Sequence, residues 1–344
     1  MRLLEIRNLS VEFDTVDGPV HAVRDLSYSL DAGKTLGIVG ESGSGKTVSV
    51  LTVMRLLAGN ARITGGEVIF DGTDLLKLSE AKMRSLRGRR ISMIFQDPMT
   101  ALDPVERISK QVGQTVEYHD KAATPAQVRK RVIQTLESVG VPDAARRAQQ
   151  YPHQWSGGMR QRAVIAMALI NNPDLIVADE PTTALDATVQ AQVLDVLRQA
   201  RTDYDCSIIM ISHDLGVVRE IADDVMVMYA GTAAEQCTTE TIFTNPRHPY
   251  TRALLRARPS WTERSERLFT IAGRPPDLLT VPTGCPFEPR CTESHGLPAC
   301  KTEVPPLREL EPAHLAACHR SEELPPVEEL IPQTAARQPQ EVAR

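Results

Sequence analysis

Residues 40–47 read G-E-S-G-S-G-K-T, which fits the pattern G-x-x-x-x-G-K-[ST]. Gly40, Gly43 and Gly45 let the chain curl, so that backbone N–H groups along Glu41, Ser42 and Ser44 point inward at phosphate oxygens. The run K-T-V-S-V-L-T-V-M-R-L-L-A at 46–58 predicts a helix, whose positive dipole end faces the same anion. Lys46 supplies a mobile cation for β- and γ-phosphates, and Thr47 a hydroxyl for Mg²⁺. T-L-G-I-V-G at 35–40 precedes the loop as a strand. Strand, glycine loop and helix in this order make the fold α/β and give it a nucleoside-triphosphate cradle.

Outward from the loop, residues 1–40 alternate as strands do. G-G-E-V-I-F-D-G at 65–72 predicts another strand pair turning at D-G. Residues 104–170 are mostly helical in pattern, clearest in A-A-T-P-A-Q-V-R-K-R-V-I-Q-T-L at 122–136. D-L-I-V-A-D at 174–179 and S-I-I-M-I at 207–211 are continuous apolar strands, which belong in a mostly parallel sheet covered on both faces. Beyond about 250 proline and charge rise and strand periodicity fades. The division expected is a nucleotide-binding domain over 1–250 with a helical part at about 97–170, an extension over 251–325, and a disordered tail over 326–344.

At 344 residues the chain can bury a sizeable core, and two domains are expected. Hydrophobic residues make up 42% and charged residues 24%, as in soluble globular proteins. The formal net charge of −5 lacks the basic footprint of a nucleic-acid binder. The N-terminus carries no signal-peptide core. The longest apolar stretches, such as 163–170, fall far short of the roughly 20 residues a spanning helix needs. A cytosolic type of chain is expected, with any membrane link made through a partner.

Two further motifs complete the chemistry. L-I-V-A-D-E at 175–180 places two carboxylates at the C-terminal end of a buried strand, where open α/β sheets hold ligands. Asp179 is placed to hold Mg²⁺ and Glu180 to orient or deprotonate an attacking water. S-G-G-M-R-Q-R at 156–162 precedes an apolar helix, so the Ser156 hydroxyl and the N–H groups of Gly157 and Gly158 form a second anion site. One triphosphate needs one cradle, so a second cradle calls for a second ATP.

With S-G-G-M-R-Q-R followed by V-A-D-E, the chain resembles the ABC ATPases through their signature and Walker B motifs. The resemblance implies a P-loop NTPase nucleotide-binding domain: a mostly parallel sheet with an antiparallel β subdomain and a helical subdomain. In that family the signature of one subunit closes over ATP held by another. Gln96 in I-F-Q-D-P resembles the Q-loop glutamine that senses γ-phosphate and Mg²⁺ and touches the transmembrane partner. Residues 184–186 in T-T-A-L-D, ending at Asp186, resemble the D-loop across the dimer interface. His213 in I-S-H-D-L resembles the switch histidine on γ-phosphate and water, and Phe13 the aromatic that stacks on adenine.

The resemblance spans about residues 1–325 and narrows. Y-P-H-Q at 151–154, E-P-T-T-A-L-D at 180–186, N-P-R-H-P-Y-T-R-A-L-L at 245–255, G-R-P-P-D-L at 273–278 and C-P-F-E-P-R-C at 285–291 are similar to the ATP-binding subunits of oligopeptide, dipeptide and nickel importers. That implies ATP hydrolysis energising import of di- or oligopeptides from the cytoplasmic face of the cell membrane. It also implies a second, paralogous ATP-binding chain, two permease subunits and an extracytoplasmic substrate-binding protein. Import of nickel or another small solute is an alternative. So is a soluble ABC ATPase acting on DNA or ribosomes, against which stand one ATPase core, no heptads and an acidic balance. Trp155 and Cys237 depart from the family pattern, standing where leucine and glycine are usual.

Cys285, Cys291, Cys300 and Cys318 cluster near the C-terminus without a C-x-x-C pair. By ligand count four thiolates suit zinc or an iron–sulfur cluster equally, and His295, His314 and His319 are close enough in sequence to substitute. The resemblance to the importer extension implies a 4Fe–4S cluster on the four cysteines.

Overall fold

The chain opens with a long antiparallel ribbon, β1 (Arg2–Thr15) and β2 (Gly18–Asp31), whose alternation buries Leu4, Ile6, Leu9 and Val11. In this computed structural model the described residues are 1–183, 185–257 and 269–324; the tail expected over 326–344 lies outside them. β3 (Thr35–Val39) is buried at every position and feeds the glycine loop, and α1 (Lys46–Met54) starts on the far side of it. The helix ends four residues before the expected Ala58. Arg55 turns left-handed at φ 50, and the Arg55 and Leu56 N–H groups close back on the Thr52 and Leu51 carbonyls.

β4 (Ala61–Phe70) and β5 (Thr73–Asp74) turn through Asp71 and Gly72 at φ 46 and 73, the double positive φ that D-G provides. These strands join the ribbon in a four-stranded antiparallel sheet of order β2-β1-β4-β5. After α2 (Glu80–Leu86) and β6 (Ile91–Ile94) come the short α3 (Pro98–Ala101), α4 (Ile108–His119), α5 (Pro125–Ser138), α6 (Ala144–Arg147) and α7 (Gly157–Leu169). Helix α5 begins where T-P-A-Q directs it: Thr124 and Gln127 form a capping box around Pro125. The helices share one apolar core, in which Val112, Val132, Leu136 and Ile165 are fully enclosed.

The rest of the chain alternates β7 (Leu175–Asp179), α8 (Ala187–Tyr204), β8 (Ser207–Ser212), α9 (Leu215–Ile221) and β9 (Asp224–Tyr229), then β10 (Thr232–Thr238), α10 (Thr239–Thr244), α11 (Pro249–Arg256), α12 (Pro298–Thr302), β11 (Arg308–Glu311) and β12 (His314–Ala316). The main sheet runs β11-β12-β10-β9-β3-β8-β7-β6, parallel from β9 to β6 and antiparallel beyond β9. Strand periodicity fades past residue 250, yet two strands form there. Each is too short to show a period, and β12 is recruited by pairing Ala316 and Leu315 with Glu235 and Gln236 of β10. A third core crosses the same boundary, packing Tyr229 of β9, Tyr250 of α11 and Phe287 together, with Cys285 and Cys291 at its margin.

Candidate functional site

The glycine loop sits at the C-terminal end of β3, between β9 and β8 in the parallel part of the sheet, where strand ends hold ligands in open α/β sheets. Gly45 is the N-cap of α1 at φ 97, and a Cβ there would stand 2.5 Å from the Ala22 carbonyl oxygen. Only glycine fits that turn. Lys46 is folded back under the loop and nearly buried, its Nζ donating to the Gly40 and Glu41 carbonyls at 2.8 and 2.9 Å. Burial pulls its pKa below the ordinary lysine value, while the Glu180, Asp179 and Glu41 carboxylates oppose the shift. An ammonium has three N–H donors, so one remains for a phosphate oxygen.

Thr47 Oγ1 donates to Asp179 Oδ1 at 3.1 Å, joining two of the three residues, with Gln96, expected around Mg²⁺. Burial raises the Asp179 pKa, with the Thr47 hydrogen bond and Lys46 acting against the rise. A hydroxyl and a carboxylate side by side are the hard oxygen donors Mg²⁺ prefers, so the residues fit the ion.

Glu180 follows at φ 48, in the left-handed region, just past the end of β7. Its Oε2 is the meeting point of the site. Gln96 Nε2 donates to it at 3.1 Å, Thr183 Oγ1 at 2.8 Å, and His213 Nδ1 lies 3.3 Å away. Glu180, Gln96 and His213, far apart in sequence, are thus brought to one carboxylate. Thr183 was not singled out from the sequence, although the E-P-T-T string contains it.

Ser156 is the N-cap of α7, but its hydroxyl makes no bond to that helix. Ser156 and Gly157 are exposed, so the hydroxyl and the helix end face outward. Gly158 is tighter: a Cβ there would stand 2.8 Å from Val189 Cγ1 on α8. The same helix holds the strand end, since buried Gln161 donates from Nε2 to the Pro181 carbonyl at 2.7 Å. Asp186 caps α8, its Oδ1 accepting the Thr188 and Val189 N–H groups, which commits that oxygen to the helix. Ala184 of the expected D-loop lies outside the described residues. Phe13 is half-buried on β1, opposite Val20 and Ala61, and packs against the core beneath α1.

Cys285, Cys291, Cys300 and Cys318 line one cavity together with His248, Phe287 and His319. Burial pushes the Cys285 thiol up to about 12 and the Cys291 thiol up to about 11, and each is raised further by the neighbouring cysteines. Of the histidines considered as ligands, His319 Nε2 bonds the Glu303 carbonyl, His314 Nε2 bonds Glu235 Oε1, and His295 is exposed beside Glu293. Among the described residues one group of three metal-donor side chains has ligand atoms all within 4.8 Å of one another: Glu235, Cys237 and His314. There the Glu235 carboxylate is already spent, accepting the Arg247 and His248 N–H groups and meeting His314, so it reads as a clasp between β10, the start of α11 and β12.

A phosphate loop bonded to a strand-end aspartate, with a glutamate gathering Gln and His beside it, defines an ATP-hydrolysing cassette. The comparisons agree. The ABC transporter model matches residues 23–183, and the model for the C-terminal region of oligopeptide/dipeptide transporters matches 234–300. The oligopeptide transport ATP-binding protein OppD of Escherichia coli is 48% identical over 96% of this chain and 95% of its own length. The dipeptide transport ATP-binding protein DppD of Lactococcus lactis is 49% identical over 92% and 90%. The dimeric post-hydrolysis cassette MJ0796, bound to ADP and Pi, superposes with a TM-score of 0.62 at 25% identity, covering 69% of this chain and 98% of that one. The chain belongs to the ABC transporter family of ATP-binding subunits, with the oligopeptide/dipeptide type of C-terminal region.

Proposed function

We propose that this chain hydrolyses ATP to energise a membrane importer of oligopeptides or dipeptides. The observation that carries the reading is the convergence of Gln96, Thr183 and His213 on Glu180 Oε2, beside the Thr47–Asp179 pair. Mg²⁺, held by Thr47 and Asp179 with Gln96 in reach of the same site, would neutralise charge on the β- and γ-phosphates. Loop N–H groups and Lys46 hold the triphosphate. Glu180 orients the attacking water and takes its proton, and His213 steadies the γ-phosphate and water. Gln96 reports the γ-phosphate toward a permease. The unspent Ser156 hydroxyl and the N–H groups of Gly157 and Gly158 close over ATP on a second chain, with Asp186 at the join, and Phe13 stacks on adenine.

The assembly that fits is a pair of paralogous ATP-binding chains, two permease subunits and an extracytoplasmic binding protein, with this chain peripheral on the cytoplasmic face. Among the described residues no helix is long and apolar enough to cross a membrane. The match at 234–300 favours peptide over nickel.

The four cysteines fit a 4Fe–4S cluster. Four sulfurs around one zinc, each at about 2.3 Å, stand about 3.8 Å apart. Among the described residues no three of these thiols lie within 4.8 Å of one another, whereas the reading of a 4Fe–4S cluster rests on the count of four cysteine thiolates. When bound, such a cluster supplies covalent cross-linking of the extension and a one-electron couple.

The test is Glu180→Gln in cells that lack their own copy. ATP binding should persist while hydrolysis falls roughly 10²- to 10⁴-fold, the weight of a general base. Uptake of labelled di- or pentapeptide should stop while nickel uptake continues. Near-normal hydrolysis would remove Glu180 from its role; intact peptide uptake with lost nickel uptake would reassign the cargo.

A further inference from the structure

The phosphate loop is gripped from the C-terminal extension. Arg290 lies on a short turn, residues 288–290, that starts from Cys285 and ends at Cys291. Its guanidinium is almost fully enclosed and meets Glu41 in a two-pronged pair: Nη1 to Oε2 at 2.7 Å and Nη2 to Oε1 at 3.0 Å. The remaining donors are also used. Nε bonds the Ala272 carbonyl at 3.0 Å, and Nη1 also bonds Tyr229 Oη at 3.2 Å. Glu41 is the second residue of the loop. Its N–H donates to Tyr250 Oη at 2.8 Å, and its carbonyl receives both Lys46 Nζ and the Ser44 N–H. Tyr250 is fully buried, its ring tilted against those of Tyr229 and Phe287 at centroid distances of 4.6 and 5.3 Å.

We infer that Arg290 is a positioning residue for ATP, through which the C-terminal extension sets the affinity of the phosphate loop in the same chain. Two physical effects act together. A bidentate guanidinium–carboxylate pair fixes Glu41 in orientation as well as place, and with it the carbonyl that parks Lys46. The pair also neutralises a carboxylate that would otherwise stand unpaired beside an incoming triphosphate, where like charges repel in a partly desolvated cleft. No part of Arg290 needs to touch ATP for either effect.

The experiment compares Arg290→Ala, Arg290→Lys, Glu41→Gln and the Glu41→Gln/Arg290→Ala double variant of the full-length chain, by equilibrium MgATP titration, steady-state hydrolysis and thermal melting. Arg290→Ala should raise the Kd and KM for MgATP about tenfold, with kcat within about twofold. Arg290→Lys keeps the charge but not the fork and should fall between. In the double variant no carboxylate is left unpaired, so its Kd should return to within about threefold of the parent. A melting shift with unchanged Kd and KM in Arg290→Ala would overturn the inference, because the bridge would then be structural only. Double-variant losses that simply add would overturn it as well. If Arg290→Ala does not fold, Arg290→Lys decides: an unchanged Kd for MgATP rejects the role.

Discussion

At the scale of single residues, the nucleotide motifs are legible because their chemistry is local. Eight consecutive residues contain the whole proposed phosphate cradle, within which Lys46 Nζ donates to the Gly40 carbonyl and Thr47 Oγ1 to Asp179. Gly45 makes this testable. At φ 97, with the Ala22 carbonyl 2.5 Å from any added Cβ, Gly45→Ala strains the backbone and pushes the loop off its partner strand. It should cost about 1–3 kcal/mol of stability and abolish tight MgATP binding, read by denaturant titration and nucleotide titration together. Normal affinity in that variant would mean the loop tolerates another path. What single-residue reading misses is the partner outside the motif. Thr183 on Glu180, and Arg290 and Tyr250 on Glu41, come from strings that mark the family without stating what each side chain touches.

At the scale of elements, pattern reading succeeds where a segment is long or well capped and fails where it is short. The capping box of α5 and the D-G turn between β4 and β5 are visible in sequence. The end of α1 is not, since it depends on Arg55 accepting a left-handed conformation. β11 and β12 are also invisible, because three- and four-residue strands carry no period and form on an edge supplied elsewhere. The H-P-Y string shows its purpose only in place. His248 caps α11 with Nδ1 accepting the Tyr250 N–H, while Glu235 accepts the His248 backbone N–H. Complete burial lowers the His248 pKa from 6.5 to about 4, against the pull of Glu235. The neutral ring is therefore the folded form, and its contribution is whole above pH 6.5. It falls away as pH drops toward 4, because the unfolded chain takes up the proton first. The loss should reach about 3 kcal/mol across that window. His248→Gln keeps an acceptor without a titration and should flatten the slope of denaturant-derived stability between pH 6.5 and 4; an unchanged slope would trace the effect to other groups.

At the scale of the whole molecule, the extension is built into the ATPase rather than hung from it. Its strands prolong the main sheet, its Phe287 packs against Tyr229 and Tyr250, and its arginine holds the phosphate loop. A group bound by the four cysteines therefore acts on a core shared with β9 and β10. At neutral pH the buried thiols hold their protons, so binding a metal must expel them, and the folded chain gains the binding energy as stability. The full-length chain purified without oxygen should be brown, absorb broadly at the blue end of the visible spectrum, and carry about four iron and four sulfide per chain. Removing the iron should lower one cooperative melting transition, because among the described residues the extension packs its Phe287 into the core it shares with β9 and β10. A colourless protein with one stoichiometric zinc would replace the cluster by a single-ion site. Two separated transitions would show instead that the extension folds on its own, and that the shared core contributes less than its burial implies.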